Sequence, residues 1–510
     1  MINYDTGRKE VVAVYYWQLN QKVMKEVYYL GVDIGTTNSK VGILDADWKI
    51  TRVLRIPTPQ KADADGIQVY DAERLWLNLK KLIAEMIRDY PVCSIGVTSM
   101  AEPGVLVDRE KEIICGNMHS WSDFRSAVFA QTVSDAEARF YQTGMHNSQK
   151  YSVYKAMAQL KDSAAAPENM VFLQAASYIV WRLTGDYLID ETLALRTYSY
   201  HIAEKTYDEV FLSRFGLSSD IFPSVYPSGK AKSGLRPELQ REFGCKAIPV
   251  AVCGHDHICA ATAIGAVDDG SLFLSLGTTG VLMGSFSERL LNKSDYESGY
   301  SFGLHSIPGK MTWLGAIQSA GSAVDWGKSI IGTKEAGSYE YFNELLASKS
   351  GTIGEILFFP YLSGSGAPKL DRRVKGGFCG LDIHHDKADI IYAIVEGLGY
   401  EILMIQQNSP ADEIKAVRAV GGCTKNTVLM QVLADMMGCE VAVAGYEEAS
   451  LAGAAMLASD VPVEKIRENK SSSKIQKLYL PNQARHDCYY EKYVNSYLPM
   501  QEWIRGYKKQ

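Results

Sequence analysis

The chain has 510 residues, too many for one ordinary hydrophobic core, and this length favours two large domains. Hydrophobic residues make up 46% and charged residues 22%, the usual balance of a globular protein. The net charge of −6 argues against a basic surface of the kind that binds nucleic acid or an anionic membrane, so we expect neither partner. Nine cysteines without a CxxC pair predict reduced, mostly buried thiols in a cytoplasmic protein.

The first 26 residues contain only a short apolar run, VVAVYYW. This run is far too short for a membrane span, and no small-residue cleavage site follows it. We therefore interpret residues 1–26 as a disordered N-terminal extension. For residues 1–23, an artefact of the chosen start codon stays open as the alternative.

Three β-rich runs at 28–33, 40–45 and 48–57 follow, and the turns between them predict an antiparallel meander. Residues 71–90 place Leu75, Leu79, Leu82 and Met86 on one face of a predicted helix, and a fourth strand follows at 93–100. Further helices are predicted over 151–161 and 172–183. This order of strands and helices is typical of an α/β layer.

The second half restarts the pattern of strand, Gly-Thr-Thr turn and strand. The first copy is GVDIGTTNSK (31–40), and the second is LSLGTTGVLM (274–283). A Gly/Pro-rich loop (361–380), an apolar helix (388–407) and a strand, Gly-Gly, helix unit come after the second copy. One restart of this kind indicates two related domains rather than a repeat array. We place the domains at 27–267 and 268–485, with a C-terminal tail or helix at 486–510.

The two turns are suited to holding a phosphate chain. Glycine lets the backbone approach a ligand closely, and threonine hydroxyls and successive N–H groups bind an anion without net positive charge. Asp33 would supply an oxygen to Mg²⁺, and Lys40 could reach a terminal phosphate. A single copy would more simply be a common hairpin turn that Asp33 caps, but two copies in the same context favour the phosphate interpretation. The predicted phosphate-binding residues are Gly35, Thr36, Thr37, Lys40, Gly277, Thr278 and Thr279.

Five blocks of the sequence, in order, resemble the FGGY family of carbohydrate kinases. They are YLGVDIGTTNSKVGILD, CGHDHICAATAIGA, LSLGTTGVL, the segment from FFPYLSGSGAP to YAIVEG, and the segment from GGCTKNTV to AAMLA. The resemblance runs from about residue 27 to 460. It implies an α/β fold of two ribonuclease-H-like (actin-like ATPase) domains with a cleft between them, and use of ATP and Mg²⁺.

The block CGHDHICAATAIGA contains the candidate catalytic base. Cys253, His255, His257 and Cys259 alternate here and suggest a zinc site, but a strand-to-helix corner is expected to point these side chains in different directions. Asp256 is the stronger candidate, because a carboxylate at a helix N-terminus stays ionised and can accept a hydroxyl proton. The resemblance implies that Asp256 is the base and that Asp33 and Asp256 organise Mg²⁺.

A Gly-Gly turn alone is weak support for a nucleotide site. The resemblance implies an adenosine-binding role for Gly421, Gly422 and, less directly, Asn426. It also places Gly315 and Gly321 in a loop near the nucleotide phosphates. The loop YLSGSGAP departs from the family pattern, because Gly366 stands where an arginine is frequent.

Two segments are predicted to hold the acceptor. Glu102 is similar in placement to a glutamate that glycerol kinases use on substrate hydroxyls, and a carboxylate can accept from two adjacent hydroxyls. The element WSDFR resembles the family's Trp-x-Asp-x-Arg and supplies Trp121, Asp123 and Arg125. The alternative for this element is an exposed turn with an internal Asp-Arg pair.

We therefore expect an ATP-dependent kinase that phosphorylates a hydroxyl of a small sugar or polyol, with domain closure excluding water. Xylulose, ribulose, erythritol, glycerol, sedoheptulose and gluconate stay open as acceptors. One alternative is an actin-like ATPase that acts on a partner protein without a sugar acceptor, and another is a sugar-binding sensor without catalysis. The sequence does not decide the oligomeric state, so a homodimer stays open.

Overall fold

The structure is a computed structural model that describes residues 27–121, 123–163, 166–331, 339–411, 413–462, 464 and 475–506. The predicted N-terminal extension, residues 1–26, lies outside the described residues. The strands are β1 (Tyr28–Ile34), β2 (Asn38–Leu44), β3 (Ile50–Pro57), β4 (Gln60–Ala62), β5 (Gln68–Tyr70), β6 (Val92–Ser99), β7 (Gly104–Asp108), β8 (Ile113–His119), β9 (Met170–Gln174), β10 (Leu188–Asp190), β11 (Ser224–Tyr226), β12 (Lys232–Gly234), β13 (Pro249–His255), β14 (Ser271–Leu276), β15 (Gly280–Ser287), β16 (Ser301–Leu304), β17 (Lys310–Ile317), β18 (Leu357–Phe359), β19 (Gly377–Cys379), β20 (Ala416–Val420), β21 (Glu440–Ala444) and β22 (Ile475–Tyr479).

The α-helices vary in length from one turn to six. They are α1 (Ala72–Asp89), α2 (Ala127–Ala130), α3 (Ala136–Thr143), α4 (Ser152–Asp162), α5 (Ala175–Thr184), α6 (Glu191–Leu195), α7 (Glu209–Ser213), α8 (Pro237–Phe243), α9 (Asp256–Ala263), α10 (Lys293–Glu297), α11 (Gly321–Ile331), α12 (Tyr339–Ser348), α13 (Lys387–Gln407), α14 (Thr427–Met437), α15 (Ala449–Ala458), α16 (Gln483–Lys492) and α17 (Leu498–Gly506). A π-helical turn, Tyr493–Tyr497, joins the last two.

The chain divides into two compact units. The first contains residues 27–134 and 148–263 together with α15, and the second contains 135–147, 264–447 and 475–506. In the first unit a six-stranded sheet has the order β12-β13-β6-β1-β2-β3. The meander β1-β2-β3 is antiparallel, as predicted, whereas β6 and β13 run parallel to β1. A second sheet in this unit has the order β4-β5-β8-β7-β9.

The second unit repeats this arrangement in its own seven-stranded sheet, β16-β17-β15-β14-β20-β21-β22. Its five consecutive strands β17-β15-β14-β20-β21 follow the same order, by position in the chain, as β3-β2-β1-β6-β13 in the first unit. The pairing directions agree as well, because β14 and β15 are antiparallel and β20 and β21 run parallel to β14. The restart at residue 271 therefore begins a second copy of one sheet topology.

Helix α1 shows how local sequence sets these elements. The Asp71 side chain caps its N-terminus by accepting from the backbone N–H of Arg74, and the helix buries Leu75, Leu79 and Met86 as predicted. Ile83, rather than the predicted Leu82, completes the buried face. The helix predicted over 172–183 was wrong in its first turn, since residues up to Gln174 form β9 and the helix begins at Ala175.

Helix α15 comes late in the chain yet packs on the six-stranded sheet of the first unit. Three glycines let its backbone approach: a Cβ on Gly96 would lie 2.0 Å from the Ala454 carbonyl oxygen, and one on Gly31 would lie 2.3 Å from that of Leu451. Within the helix, a Cβ on Gly453 would lie 1.9 Å from the carbonyl oxygen of Cys259. Only glycine fits these contacts, so the helix is part of this unit's core.

All nine cysteines are free, as predicted, but the expectation that most are buried was wrong. Only Cys253, Cys259 and Cys439 are buried. Cys93 and Cys488 are exposed, and the other four are partly buried.

Candidate active site

The carboxyl ends of β1, β6 and β13 meet at one edge of the first unit's sheet. In the strand register, Asp33 lies opposite Lys40 of β2 and Thr98 of β6, and His255 lies opposite Ser99 of β6. Because parallel strands end at the same edge, residues that are distant in sequence meet here. The predicted base, Asp256, and the predicted metal ligand, Asp33, both come from this edge.

Asp256 is the first residue of α9 and directly follows β13. Its Oδ1 accepts from the backbone N–H of His257 at 2.7 Å, and it lies 3.0 Å from Nδ1 of His257 and 3.2 Å from Nε2 of His255. Although burial acts to raise it, the two histidines lower the pKa of Asp256 well below its usual range. Asp256 is therefore a carboxylate at neutral pH.

The two histidines converge on Asp256, so the expectation that all four Cys and His side chains point apart was wrong for them. Burial lowers the pKa of His255 to about 3, which keeps this imidazole neutral. Burial also acts to lower the pKa of His257, but the Asp256 carboxylate outweighs it and the pKa is raised. The cysteines do point elsewhere: the Cys253 thiol donates to the Ala454 carbonyl oxygen at 3.2 Å, and the Cys259 thiol to that of Cys253 at 3.3 Å.

The peptide between Gly254 and His255 is held from both sides. The Thr98 hydroxyl donates to its carbonyl oxygen at 2.7 Å, and its N–H donates to the Thr192 hydroxyl oxygen at 2.9 Å. Thr192 in turn donates to Asp190 Oδ2 at 2.8 Å. Gly254 has φ +114, and a Cβ there would lie 2.5 Å from the Thr192 hydroxyl oxygen, so this position requires glycine. The backbone that carries Asp256 is thus fixed by hydrogen bonds.

Asp33 is buried at the end of β1, and its Oδ1 has no hydrogen-bond partner. Lys40 lies 3.8 Å from its Oδ2, but the Lys40 ammonium donates to Glu448 Oε2 at 2.5 Å. Burial raises the pKa of Asp33 to about 7, with Lys40 acting in the opposite direction. Thr36 and Thr37 in the adjoining turn are exposed. Lys40 therefore belongs to an ion-pair cluster beside this turn.

Glu102, which was predicted to bind the acceptor, is held by its backbone conformation and by Arg196. Its backbone has φ +74, which is uncommon for a non-glycine residue, and its side chain is buried. Arg196 donates to Oε1 through Nε at 2.8 Å and also through Nη2, while no described residue donates to Oε2. Although burial acts to raise it, the Arg196 guanidinium lowers the pKa of Glu102. The ionised carboxylate is held through one oxygen.

Arg196 and Lys155 were missed by the sequence analysis. Arg196 follows α6 and comes 94 residues after Glu102, so no local pattern connects them. Lys155 is buried in α4, where its ammonium donates to the Ser120 carbonyl oxygen. Burial lowers the pKa of Lys155 to about 8, although the carboxylates of Asp123 and Glu102 act in the opposite direction.

The WSDFR element contains the internal Asp-Arg pair of the alternative interpretation, but it is not an exposed turn, because Asp123 is buried. Arg125 Nε lies 3.1 Å from both carboxylate oxygens of Asp123, and Nη1 lies 2.5 Å from Asp63 Oδ2. Trp121 is half-buried in the same segment. Asp123 and Arg125 are thus engaged with each other and with Asp63.

In the second unit, the Gly277–Thr279 turn lies beside two other predicted glycines. The Gly321 N–H donates to the Gly277 carbonyl oxygen at 2.8 Å, where α11 begins. Gly421 has φ +103, and a Cβ there would lie 2.5 Å from the Leu276 carbonyl oxygen. These three predicted nucleotide-binding positions are therefore contiguous. Gly422 follows in a 3₁₀ turn.

Two other predicted nucleotide-site residues, Gly315 and Asn426, have structural roles in the second unit. Gly315 lies inside β17 rather than in a loop, with the side chains of Ile405 and Tyr300 packed on it, so its predicted loop position was wrong. Asn426 uses Oδ1 to cap α14 by accepting from the Leu429 N–H at 3.0 Å.

The departure from the family pattern at Gly366 has a steric reason. A Cβ on Gly366 would lie 1.9 Å from the Ala316 carbonyl oxygen, so the arginine frequent in the family cannot fit here.

Comparison with known protein families assigns both parts of the chain. The model of the N-terminal domain of the FGGY family of carbohydrate kinases matches residues 28–265, and that of the C-terminal domain matches residues 272–459. The chain belongs to the FGGY family of carbohydrate kinases.

Kinases that match this chain over most of its length support this assignment. The xylulose kinase of Escherichia coli (strain K12) is 26% identical over 479 residues, which cover 90% of this chain and 96% of that kinase. A glycerol kinase of Carboxydothermus hydrogenoformans is 27% identical over 459 residues, covering 85% of this chain and 89% of that kinase. The crystal structure of ligand bound xylulose kinase from Lactobacillus acidophilus has a TM-score of 0.85 at 19% identity, covering 94% of this chain and 99% of that one, and it supports the two-domain ribonuclease-H-like fold.

Membership in the FGGY family makes this protein a carbohydrate kinase, an enzyme that uses ATP to phosphorylate an alcohol group of a sugar or polyol. The alternative of an actin-like ATPase without a sugar acceptor is not favoured, because sugar and polyol kinases match along most of the chain. Among the described residues, no helix combines the length and apolar character that a membrane crossing requires.

Proposed function

We propose that the protein transfers the γ-phosphoryl group of ATP to a hydroxyl of a small open-chain sugar or polyol, such as a pentulose, with Asp256 as the general base. The observation that carries this proposal is the ionised Asp256 carboxylate at the start of α9, on a peptide held by Thr98 and Thr192. The acceptor hydroxyl gives its proton to Asp256 as its oxygen bonds to the γ-phosphorus. The bond from that phosphorus to the β-γ bridging oxygen breaks, and ADP leaves.

Phosphoryl transfer of this kind needs alignment and charge neutralisation more than a strong base, because its transition state is loose. Asp256 therefore has to be ionised and correctly placed, and a high pKa is not required of it. The low pKa of Asp256 is consistent with this role. Removing the carboxylate charge should lower kcat far more than it changes substrate binding.

We assign the acceptor side to Glu102, with Trp121, Asp123 and Arg125 as further contacts. Glu102 Oε2 can accept from a ligand hydroxyl, since the Arg196 bonds to this carboxylate go to Oε1. A Trp face can pack on a carbon chain. Asp123 and Arg125 would have to bind the acceptor as a pair, because they already bind each other.

On the nucleotide side, we assign phosphate contacts to the Gly35–Thr37 turn with Lys40, and to the Gly277–Thr279 turn with Gly321. Main-chain N–H groups and threonine hydroxyls suit an anion in such turns. Gly421 and Gly422 would border the adenosine, and Asn426 would act mainly by capping α14 beside it. Gly315 has no place in this assignment, because it is packed inside a strand.

A divalent cation fits the residues at the first turn. Asp33 is a buried carboxylate whose Oδ1 has no donor, which is an incomplete arrangement that a cation would complete. Asp33 and Asp256 would hold Mg²⁺, which takes oxygen ligands and keeps several waters. When bound, the cation supplies neutralisation of phosphate charge.

A coupled assay of ADP release across about thirty sugars, polyols and aldonates, at fixed ATP and Mg²⁺, tests the proposal. We expect at least one small open-chain acceptor to accelerate ADP release. Asp256→Asn should lower kcat by at least ~10²-fold while the KM for ATP changes little. Asp47→Asn, at an exposed turn, is the matched control and should retain full activity. Unaltered turnover in Asp256→Asn would remove this residue as the base.

A further inference from the structure

Three metal-ligating atoms form a compact triangle at the start of α9. The distances are 3.2 Å from His255 Nε2 to Asp256 Oδ1, 3.0 Å from Asp256 Oδ1 to His257 Nδ1, and 3.4 Å between the two imidazole nitrogens. A metal with ligands at about 2.0–2.1 Å sets neighbouring ligand atoms about 3.0 Å apart in octahedral geometry and about 3.4 Å apart in tetrahedral geometry. The spacing of the three atoms therefore already fits one face of a metal coordination sphere.

The donor types favour a transition metal over Mg²⁺. Two imidazoles and one carboxylate on one face are a frequent set for such metals, whereas Mg²⁺ prefers oxygen ligands. The side chains of His255, Asp256 and His257 are 11%, 21% and 28% exposed, so the triangle is reachable from solvent.

The backbone holds two of the three ligands before any metal binds. Thr98 and Thr192 fix the peptide that joins Gly254 to His255, and the next residue is Asp256. Little ordering is then needed on binding, and preorganised ligands bind more tightly for that reason. No comparable group of three His, Cys, Asp or Glu ligand atoms occurs elsewhere among the described residues.

We propose that His255, Asp256 and His257 form a binding site for a transition-metal dication such as Zn²⁺, and that metal binding there inhibits the kinase. The metal bonds to Nε2 of His255, Oδ1 of Asp256 and Nδ1 of His257, and any proton on these nitrogens passes to solvent. The Asp256 carboxylate is then bound to the metal through Oδ1, and its capacity to take the acceptor's proton falls. This second part depends on the proposed role of Asp256, whereas the binding site itself does not.

Titration of the full-length protein with Co²⁺, without nucleotide or sugar, tests the site directly. We expect one equivalent of Co²⁺ to produce visible absorption bands of a bound ion, and Zn²⁺ to remove them by competition. His257→Asn and His255→Asn should each weaken Co²⁺ affinity by at least about tenfold. The matched control His384→Asn/His385→Asn removes two histidines that are adjacent in sequence in the second unit, and it should retain both the bands and the kinase activity.

Thermal melts establish that each variant is folded. If one of the two single His variants fails to fold, the other still tests the site. Absence of one-equivalent binding in the wild type, or equal affinity in wild type and both variants, would overturn the site. If the site binds Zn²⁺ but Mg²⁺-dependent activity is unaffected at saturating Zn²⁺, the inhibition is overturned and the site stands. Failure of every acceptor in the Mg²⁺ assay would count against the proposed function alone.

Discussion

At the scale of single residues, the candidate site depends on carboxylates, one of them buried, that neighbouring side chains keep ionised. Glu102 has Arg196, and Asp256 has two histidines. A buried ion pair contributes little net stability, but losing one partner leaves the other charge uncompensated. Such pairs are better suited to presenting a fixed charge to a ligand than to stabilising the fold.

Glu102→Gln tests whether this pair binds the acceptor. We expect the acceptor KM to rise about tenfold with the ATP KM unchanged, because the amide is uncharged and only one of its two polar groups can accept a hydrogen bond from a hydroxyl. The unpaired Arg196 should also lower the free energy of unfolding by about 3 kcal/mol. The double variant Glu102→Gln/Arg196→Met should recover stability in urea unfolding but not acceptor affinity. An unchanged acceptor KM in both variants would exclude Glu102 from the acceptor site.

Lys155 offers a pH-dependent measurement. Its folded pKa of about 8 lies below its ordinary value of 10.5, so between these pH values the folded protein binds fewer protons than the unfolded chain. Stability from this group therefore rises with pH through that window, by up to about 3 kcal/mol. Urea unfolding at pH 7.5 and pH 10 should show this gain in wild type relative to Lys155→Met. Parallel pH dependence of the two proteins would show that Lys155 is not perturbed.

At the scale of elements, the strand-to-helix corner between β13 and α9 positions the base through main-chain hydrogen bonds. Thr98 from β6 and Thr192 from α6 bind opposite sides of one peptide, and Asp190 holds Thr192. Asp190 also accepts from Ser228 at 2.6 Å. The position of Asp256 is therefore set by residues that need not touch either substrate.

Thr192→Val should lower kcat about tenfold with both KM values nearly unchanged, because small misplacement of a catalytic group affects the chemical step most. Thr192→Ser retains the hydroxyl and should restore kcat. If the role of Thr192 is purely structural, Thr192→Val should lower stability as much as Thr312→Val, which changes another buried threonine, in a strand. The kcat per folded molecule should then be unchanged. Steady-state kinetics with thermal melts distinguish the two outcomes.

The sequence predicted the groups that local patterns mark and missed those assembled by tertiary contacts. Asp33 stands near the end of a strand before a turn, and Asp256 stands between a strand and a helix, where a charged residue is conspicuous. Thr192 lies in the short helix α6, and Arg196 directly follows that helix. Only the folded chain brings Arg196 to Glu102 and Thr192 to the peptide between Gly254 and His255. Gly315 was misplaced because a glycine needed for strand packing looks the same in sequence as one needed in a loop.

At the scale of the whole molecule, the first unit is not a continuous stretch of chain. Helix α15 packs its small residues on the six-stranded sheet, and Glu448 at its start binds both Lys40 and Arg55. The match to the N-terminal family model ends at residue 265, well before this helix. Part of the predicted phosphate site therefore depends on residues near the end of the chain.

A fragment of residues 27–265 should consequently fail to fold. Without α15, the apolar surface around Ala251, Cys253 and Cys259 is uncovered, and we expect a fragment that binds a hydrophobic dye and lacks a cooperative melt. Fusing residues 447–462 to this fragment through a flexible linker should restore the cooperative melt. A fragment that melts cooperatively without that addition would show that α15 is dispensable.

The late position of α15 has a consequence for biosynthesis. The last strand of the first sheet ends at residue 255 and the helix that covers the sheet begins at residue 449, so a ribosome releases the helix 194 residues after that strand. During translation the nascent chain must therefore carry an exposed apolar face while the second unit is made, and this is an interval in which chaperones or aggregation compete with folding.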